Sequence, residues 1–348
     1  MRVLFCGLGG IGQRHLRNLR TLLGDRLEVH AFRVRRNRDR LLDNLTVADG
    51  ADVESDFAIA VHDDLRTALS TKPDVVFVCN PSSLHVSIAL AAAEAGSHLF
   101  IEKPVSHDMD RVSDLLSIVR QKRLVCLVGY NFRFHPGPIR LKEMVDAGAF
   151  GRIIGVHAEI GEYLPNWHRY EDYRQMYAAR QDLGGGVILS QIHEMDLICW
   201  LFGLPKRIHC MGGHLSSLDV DVEDSASSLM QSDGPQGRFP IVLHQDFVQR
   251  PPVRTFKVVG DAGIARLDLV ANRLMTYGAE GGAVMDHAFP GFSRNDMFMD
   301  QARHLLDCIR LGTPPKVDLP TGILSLRLAL AAKESLGSGK TVELHGGD

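Results

Sequence analysis

The chain has 348 residues, 45% of them hydrophobic and 23% charged, and a net charge of −3 at pH 7. A length of this kind exceeds what one core usually serves, which predicts two domains. The near-neutral charge gives no global attraction to nucleic acid or anionic lipid, so neither is expected as a partner. No apolar run approaches the about 20 residues that cross a bilayer. Six cysteines (Cys6, Cys79, Cys126, Cys199, Cys210 and Cys308) are scattered without a Cys-x-x-Cys pair. Several sit inside apolar runs, where cysteine behaves as a small hydrophobe. That usage, with no signal peptide at the start, predicts a reducing, cytoplasmic setting.

In chain order, residues 3–6 read as a strand and 11–23 as a helix with Leu16, Leu19 and Leu23 on one face. A strand follows at 27–32, a short helix at 63–70, and a strand at 75–79 after Pro73. An alanine-rich helix at 83–95 is stopped by Gly96. Strands at 99–101 and 125–128 flank a helix at 109–120. Such alternation predicts a doubly wound parallel sheet, an N-terminal Rossmann domain over residues 1–128. After Gly129 the pattern changes: strands at 153–160, 207–212, 239–249 and 255–259 follow one another with turns between them. One long helix is expected over 186–202 and two more at 297–311 and 321–336. Residues 129–348 thus read as an α+β domain with a large, mainly antiparallel sheet, its helix at 321–336 a candidate to pack back on the first domain.

Gly7-Leu8-Gly9-Gly10-Ile11-Gly12 follows the first strand and opens the first helix. Gly7 allows the tight turn, Gly9 and its neighbours Gly10 and Ile11 let backbone approach a pyrophosphate, and Gly12 lets helix and strand pack. The helix N-terminus offers free N–H groups to the anion. Where NAD-specific folds place an acid on the ribose, this second strand ends on Arg33, followed by Arg35 and Arg36. Arginine can grip a 2′-phosphate with paired hydrogen bonds, which favours NADP over NAD. If these arginines stack on adenine or face solvent, NAD stays usable. Asn80-Pro81 ends the strand at 75–79 and His85 begins the next helix, at the strand edge where ligands collect; all three are cofactor candidates.

Glu102-Lys103-Pro104 stands just past the buried strand Leu99-Phe100-Ile101. Proline fixes the backbone after Lys103 and restricts Lys103 itself, so the amine is aimed as a proton donor. Downstream, Gly184-Gly185-Gly186 leads into Ser190, His193 and Asp196, spaced by three and sharing roughly one helix face. The glycines would let a ligand approach the backbone. His193-Glu194 is not a zinc motif, since Leu197 stands where H-E-x-x-H needs histidine, and no metal is expected. Together, the glycine turn, the lysine and this helix suggest a nicotinamide oxidoreductase.

The set Gly7–Gly12, Asn80-Pro81 with His85, Glu102-Lys103-Pro104, Tyr130–Phe134 and Gly184–Asp196 resembles the Gfo/Idh/MocA family over nearly the whole chain. The resemblance implies a Rossmann domain followed by a domain with an open-faced sheet, through which homodimers or homotetramers form. It implies that Lys103 lies near the nicotinamide and the reacting carbinol, with Glu102 beside the cofactor, and that His193 exchanges the substrate's hydroxyl proton. One position departs from the pattern. Many relatives carry an aspartate four residues before that histidine; here the offset falls on Leu189, and the register counted from the glycines on Ser190. Lys103 and His193 are therefore expected to carry the proton chemistry. Tyr130, Asn131 and Arg133, beyond the strand at 125–128, and Trp167, His168 and Arg174, in a loop of aromatic and charged groups, are substrate candidates with Ser190 and His193; such groups suit a sugar ring. The expected activity is hydride transfer at a carbinol of a sugar, sugar acid, nucleotide sugar or cyclitol. A silent cofactor-binding sensor, and an epimerase or glycosidase that reoxidises its cofactor within one cycle, are the alternatives.

Overall fold

The computed structural model describes residues 1–34, 37–235 and 237–345. Its first sheet contains β1 (Arg2–Cys6), β2 (Glu28–Phe32), β3 (Ala60–His62), β4 (Val75–Val78), β5 (His98–Ile101) and β6 (Cys126–Val128). The strands lie in the order β3-β2-β1-β4-β5-β6 and pair in parallel throughout. β4 reads Val-Val-Phe-Val with every residue buried, because helices cover both faces of the sheet. Those helices include α1 (Gly10–Leu23), α2 (His85–Glu94) and α3 (Val112–Gln121).

Strand register brings the loop starts together. Cys6 pairs with Phe32 and Val78, Val78 with Ile101, and Ile101 with Val128. One row across the sheet thus ends five strands, and the segments after it, at Gly7, Arg33, Asn80, Glu102-Lys103 and Gly129-Tyr130, emerge along one edge. Strand order reverses between β1 and β4, so Gly7 and Asn80 flank the crevice of the switch point.

After α4 (Pro136–Asp146), nine strands build the second sheet: β7 (Ile153–Gly161), β8 (Arg207–Gly213), β9 (Ser225–Gly234), β10 (Gly237–Asp246), β11 (Val253–Gly260), β12 (Gly263–Asp268), β13 (Arg273–Gly278), β14 (Ala283–Ala288) and β15 (Val342–Glu343). Their order is β14-β13-β12-β11-β7-β10-β9-β8-β15, antiparallel except where β7 meets β10. Four of these strands match the sequence pattern. β9 does not stand out because serines occupy its inward positions: Ser228 and Ser232 alternate with Ala226 and Met230 toward the core.

The long helix expected over 186–202 is two helices, α5 (Val187–Ser190) and α6 (His193–Phe202). Gln191 makes the break. Its Nε2 donates to the Asp246 carbonyl at 2.8 Å, and its own carbonyl accepts from Gln245 Nε2 at 3.0 Å, so the end of β10 holds the backbone out of helical geometry. Glu194 and Asp196 are fully buried in α6, neutralised by Arg254 and Arg133 respectively.

Two helices close the chain, α7 (Arg294–Leu311) and α8 (Leu319–Ser338). Ala302, Leu305 and Cys308 of α7 join Val3, Phe5, Phe77 and Phe100 in one core beneath the first sheet. Asn295 Nδ2 donates to Asn18 Oδ1 of α1 at 2.9 Å. α8 spans both sheets: its Gly322 abuts Val105 and Val128, where an added Cβ would stand 2.8 Å from each, and its Ser335 Oγ accepts from the Cys210 N–H of β8 at 2.8 Å. The first sheet is therefore covered partly by residues nearly 300 positions away, more of the C-terminal chain than the helix at 321–336 alone.

Candidate active site

The glycine turn is shaped by close approach. Gly7 has φ +100°, and a Cβ there would lie 2.7 Å from the Cys79 carbonyl oxygen. A Cβ on Gly12 would lie 2.3 Å from the Gly7 carbonyl oxygen, while one on Gly9 would meet nothing within 4 Å. Gly7 and Gly12 are glycine for packing, and Gly9 leaves the space a diphosphate needs. Ile11 turns inward to the cores on either side. Beside the turn, Asn80 has both amide atoms buried and without a partner among the described residues. Buried polar groups are rarely left unpaired, so the amide suits a bound molecule. Pro81 starts the following turn at φ −56°.

Arg33 is not the free cation that the sequence suggested. Its Nη1 donates to Glu54 Oε1 at 2.6 Å and its Nη2 to the Asn37 carbonyl. Arg38 reaches the same carboxylate at 3.1 Å. Arg35 and Arg36 lie outside the described residues.

His85 and Glu102, read as cofactor contacts, instead frame the lysine. His85 Nδ1 lies 2.7 Å from the Pro104 carbonyl oxygen and its Nε2 lies 2.8 Å from that of Asn80, so the ring clamps the two strand ends together. Burial pushes its pKa below the usual histidine value. Glu102 Oε1 lies 2.8 Å from His15 Nε2 of α1, and its Oε2 accepts from the Lys103 N–H at 3.2 Å. From this frame Lys103 Nζ donates to the Ser190 carbonyl at 2.7 Å. In a continuous helix that carbonyl would accept the N–H four residues on; the break at Gln191 frees it for the lysine.

His193 follows three residues later. Its ring stands edge-on to Phe132 at 5.0 Å and to Tyr130 at 5.8 Å, and its Nδ1 is buried without a partner among the described residues. Burial first, then Lys103, Arg254 and Arg294, push its pKa well below the usual value. The imidazole is neutral at pH 7. Ser190 Oγ, Asn131 Oδ1 and Trp167 Nε1 are likewise buried and unpartnered, and Trp167 rests edge-on against Phe247 at 5.3 Å. These groups remain available to a ligand.

Several other expectations are corrected. Tyr130 is fully buried with its ring edge-on to His193, and its hydroxyl, like the atoms of Asn131, Trp167 and Ser190, is buried without a hydrogen-bond partner among the described residues. Arg133 gives Nε and Nη2 to the two oxygens of Asp196, each at 2.8 Å, and stacks on Trp200, a buried pair with no free donor fork for a sugar. Ser325 Oγ also donates to Asp196, at 3.0 Å. Arg174 is exposed and tied to Asp172, and His168 Nδ1 lies 2.7 Å from Glu171 Oε1, stacked on Tyr170. The triple glycine receives protein rather than ligand: a Cβ on Gly186 would lie 2.2 Å from Glu223 Oε1, and one on Gly185 2.3 Å from the Tyr177 carbonyl oxygen.

Two groups were missed. Tyr170 puts its hydroxyl at the glycine turn, 3.1 Å from where a Cβ on Gly10 would stand. Arg254 of β11 gives both arms to Glu194, at 2.6 and 3.0 Å, and lies over Phe132 at 4.3 Å. The acids Glu194 and Asp196, set among the apolar residues Met195, Leu197 and Ile198, were the available signal, since a buried carboxylate needs a cation. Among the described residues no group of three or more His, Cys, Asp or Glu could hold a metal ion.

A parallel sheet that reverses strand order beside an open glycine turn, with an unpaired amide across the crevice, defines a protein that binds a dinucleotide through its first sheet. The chain belongs to the Gfo/Idh/MocA family: the model described as oxidoreductase family, NAD-binding Rossmann fold, matches residues 1–130, and that of the Gfo/Idh/MocA C-terminal domain matches 139–266. A scyllo-inositol 2-dehydrogenase (NAD(+)) of Bacillus subtilis is 24% identical over 361 aligned positions, covering 99% of this chain and 96% of that protein. A levoglucosan dehydrogenase of Pseudarthrobacter phenanthrenivorans is 31% identical over 177, covering 47% of this chain and 42% of its own length. A solved levoglucosan dehydrogenase in complex with NADH and levoglucosan shares the fold, with a TM-score of 0.82, 19% identity and 99% of each chain covered.

Two arginines of similar sequence prospects should behave oppositely. Arg133→Ala leaves Asp196 buried and unpaired and is expected to destabilise the protein by about 3–5 kcal/mol. Arg174→Ala removes an exposed, solvent-screened pair and should leave stability nearly unchanged. Urea unfolding of the two variants measures the difference; equal costs would contradict the assignment of Arg133 as a structural cation.

Proposed function

We propose that the chain is a nicotinamide-dependent dehydrogenase or reductase acting on a carbinol of a sugar, sugar acid, nucleotide sugar or cyclitol. The observation that carries this reading is the convergence of Lys103 Nζ on the carbonyl of Ser190 while His193, on the next turn, holds an unpartnered Nδ1. When bound, the dinucleotide supplies a hydride acceptor or donor. The chain handles the proton. In the oxidative direction the neutral His193 imidazole accepts the hydroxyl proton, and the Lys103 ammonium donates a hydrogen bond to the oxygen as negative charge builds on it. In the reductive direction the same groups return the proton. Asn80 and the open backbone at Gly9 hold the dinucleotide, and Asn131, Trp167 and Ser190 offer hydrogen bonds to substrate hydroxyls. The relatives named for inositol and levoglucosan support a polyol or sugar as substrate.

Lys103→Ala should lower kcat by roughly 100- to 10,000-fold, the usual range for lost proton transfer, while NADH fluorescence still reports binding. Wild-type turnover in that variant would sink the role given to Lys103. The silent-sensor alternative has less support, because Lys103 and His193 are both present and Lys103 is bonded to the carbonyl three residues before His193.

Arg33 was the reason to favour NADP. With its guanidinium held by Glu54, the support moves to NAD(H), and use of NADP(H) requires that pair to open. Glu54→Gln removes the competing charge and is expected to raise the NADP-to-NAD ratio of kcat/KM by about 10-fold, the value of one charge-assisted hydrogen bond. A wild-type enzyme that already prefers NADP, or a ratio unmoved by the substitution, would reverse the cofactor assignment.

The outer face of the second sheet carries Met211, Leu229 and Val242, 68%, 54% and 36% exposed. Apolar side chains on an uncovered sheet suit a second copy of the chain, as a homodimer or homotetramer. Light scattering should give a mass of two or four times 38.5 kDa; a monomer at micromolar concentration would remove this proposal.

A further inference from the structure

The cations around His193 are not all compensated. Arg254 is, by its two bonds to Glu194. Among the described residues Lys103 has only a neutral carbonyl. Arg294, the first residue of α7, makes no hydrogen bond or ion pair with a described residue; Glu162 attracts it without reaching ion-pair distance. The place of Arg294 is fixed by its neighbours. Phe292, two residues before, packs on His135 with ring centroids 4.4 Å apart, next to the turn that carries Phe132. Asn295, the next residue, accepts from Arg14 Nη1 of α1 at 3.0 Å. Arg294 therefore stands between the dinucleotide-binding helix and the aromatic wall behind His193.

Within its own helix nothing favours a cation there, and Glu162, which attracts it, stays beyond ion-pair distance. The first turn of a helix disfavours positive charge, and the capping box of Ser293 and Asp296 already satisfies the helix end. Arg254 repels Arg294, and Arg294 in turn repels Arg14. The side chain is open to solvent, yet its surroundings remove enough water to lower its pKa, as happens on the wall of a cleft. A partly desolvated guanidinium without a partner gains most from an anion that its planar fork can grip.

We propose that the substrate carries an anionic group, a carboxylate or a phosphate, beside the reacting carbinol, and that Arg294 is the residue that selects it. This rests on the oxidoreductase reading and narrows it. Inositol and levoglucosan, named in two relatives, are neutral, so the chain would differ from them in substrate charge.

The test compares D-glucuronate and D-glucose 6-phosphate with D-glucose, in wild type, Arg294→Gln and Arg294→Lys, by kcat/KM and by the rise in Tm of the enzyme–NADH complex. In wild type one anionic sugar should exceed glucose in either readout. Arg294→Gln should lower the anionic-to-neutral ratio of kcat/KM roughly 10- to 100-fold, the range for a hydrogen-bonded charge, or abolish the extra rise in Tm. Arg294→Lys, a point charge without the fork, should keep part of the effect. A preference for glucuronate identifies a carboxylate, and one for glucose 6-phosphate a phosphate. If neither anionic sugar exceeds glucose, or the ratio is the same in Arg294→Gln, the proposal is wrong. Loss of all turnover in Lys103→Ala would in that case leave the oxidoreductase reading standing, so the two failures are told apart.

Discussion

A single hydrogen bond, from Lys103 Nζ to the carbonyl of Ser190, is the point on which the two halves of the molecule agree. It needs both partners in unusual states. The lysine must leave the first sheet along the row that ends β1, β4, β5 and β6, with Glu102 and His85 holding the turn. The carbonyl must be free, and a helical carbonyl is free only where the helix stops. Gln191 supplies the stop by bonding to the end of β10 rather than to its own helix. Joined in this way, the amine is anchored one turn from the imidazole without being neutralised by a carboxylate. A carboxylate at Ser190 would bind the lysine more tightly and hold its charge away from a substrate oxygen. The hydroxyl side chain there is consistent with a site in which the lysine is oriented by backbone alone.

The helix that carries His193 is held in place by charge. Asp196 faces Arg133, and Glu194 faces Arg254, all four with little access to water. Such pairs add little net stability, since desolvation offsets much of the attraction, but losing one partner is costly. Their consequence here is orientation. Two acids on successive faces of α6 are bonded from two directions, by the turn after β6 and by β11, which leaves one rotation of the helix that satisfies both. That rotation sets the His193 ring against Phe132 and Tyr130. Burial first, then the positive charges of Lys103, Arg254 and Arg294, push the imidazole's pKa well below the usual value, and Arg254 does so even while it is bonded to Glu194.

What could be read in the sequence was what sterics and periodicity fix. Gly7 and Gly12 are glycine because a Cβ would strike a carbonyl oxygen, and that constraint is local enough to give a spacing motif. Lys103 was legible because proline marks the end of a buried strand. Polar side chains were not, since a sequence names donors and acceptors without saying which are already satisfied. Arg33, Glu102, Arg133 and Arg174 were read as ligand contacts and each has a protein partner. Asn80, Trp167, Ser190 and His193 were read the same way and each keeps an unpartnered buried atom. The first set is charged and the second is not: the charged groups are taken up by long-range pairing, with partners 21 to 87 positions apart for Arg33, Glu102 and Arg133. The helix break escaped for the same reason, because its cause lies 55 residues away at Asp246.

The chain order also limits how the site can form. The glycine turn, the lysine, the histidine and Arg294 come from four separate stretches, and the last belongs to a helix whose apolar face completes the core under β1, β4 and β5. Buried Leu305 and Cys308 fasten α7 to the first sheet, while Phe289 and Phe292 just before it pack on His135 of the second half. α8 repeats the arrangement between Val128 and β8. The first sheet, already covered by α1, α2 and α3, is thus completed by α7 and α8 from the C-terminal third of the chain. The apolar contacts that complete that core also fix where the helix of Arg294 begins, and such packing is stiff to changes of even a methylene.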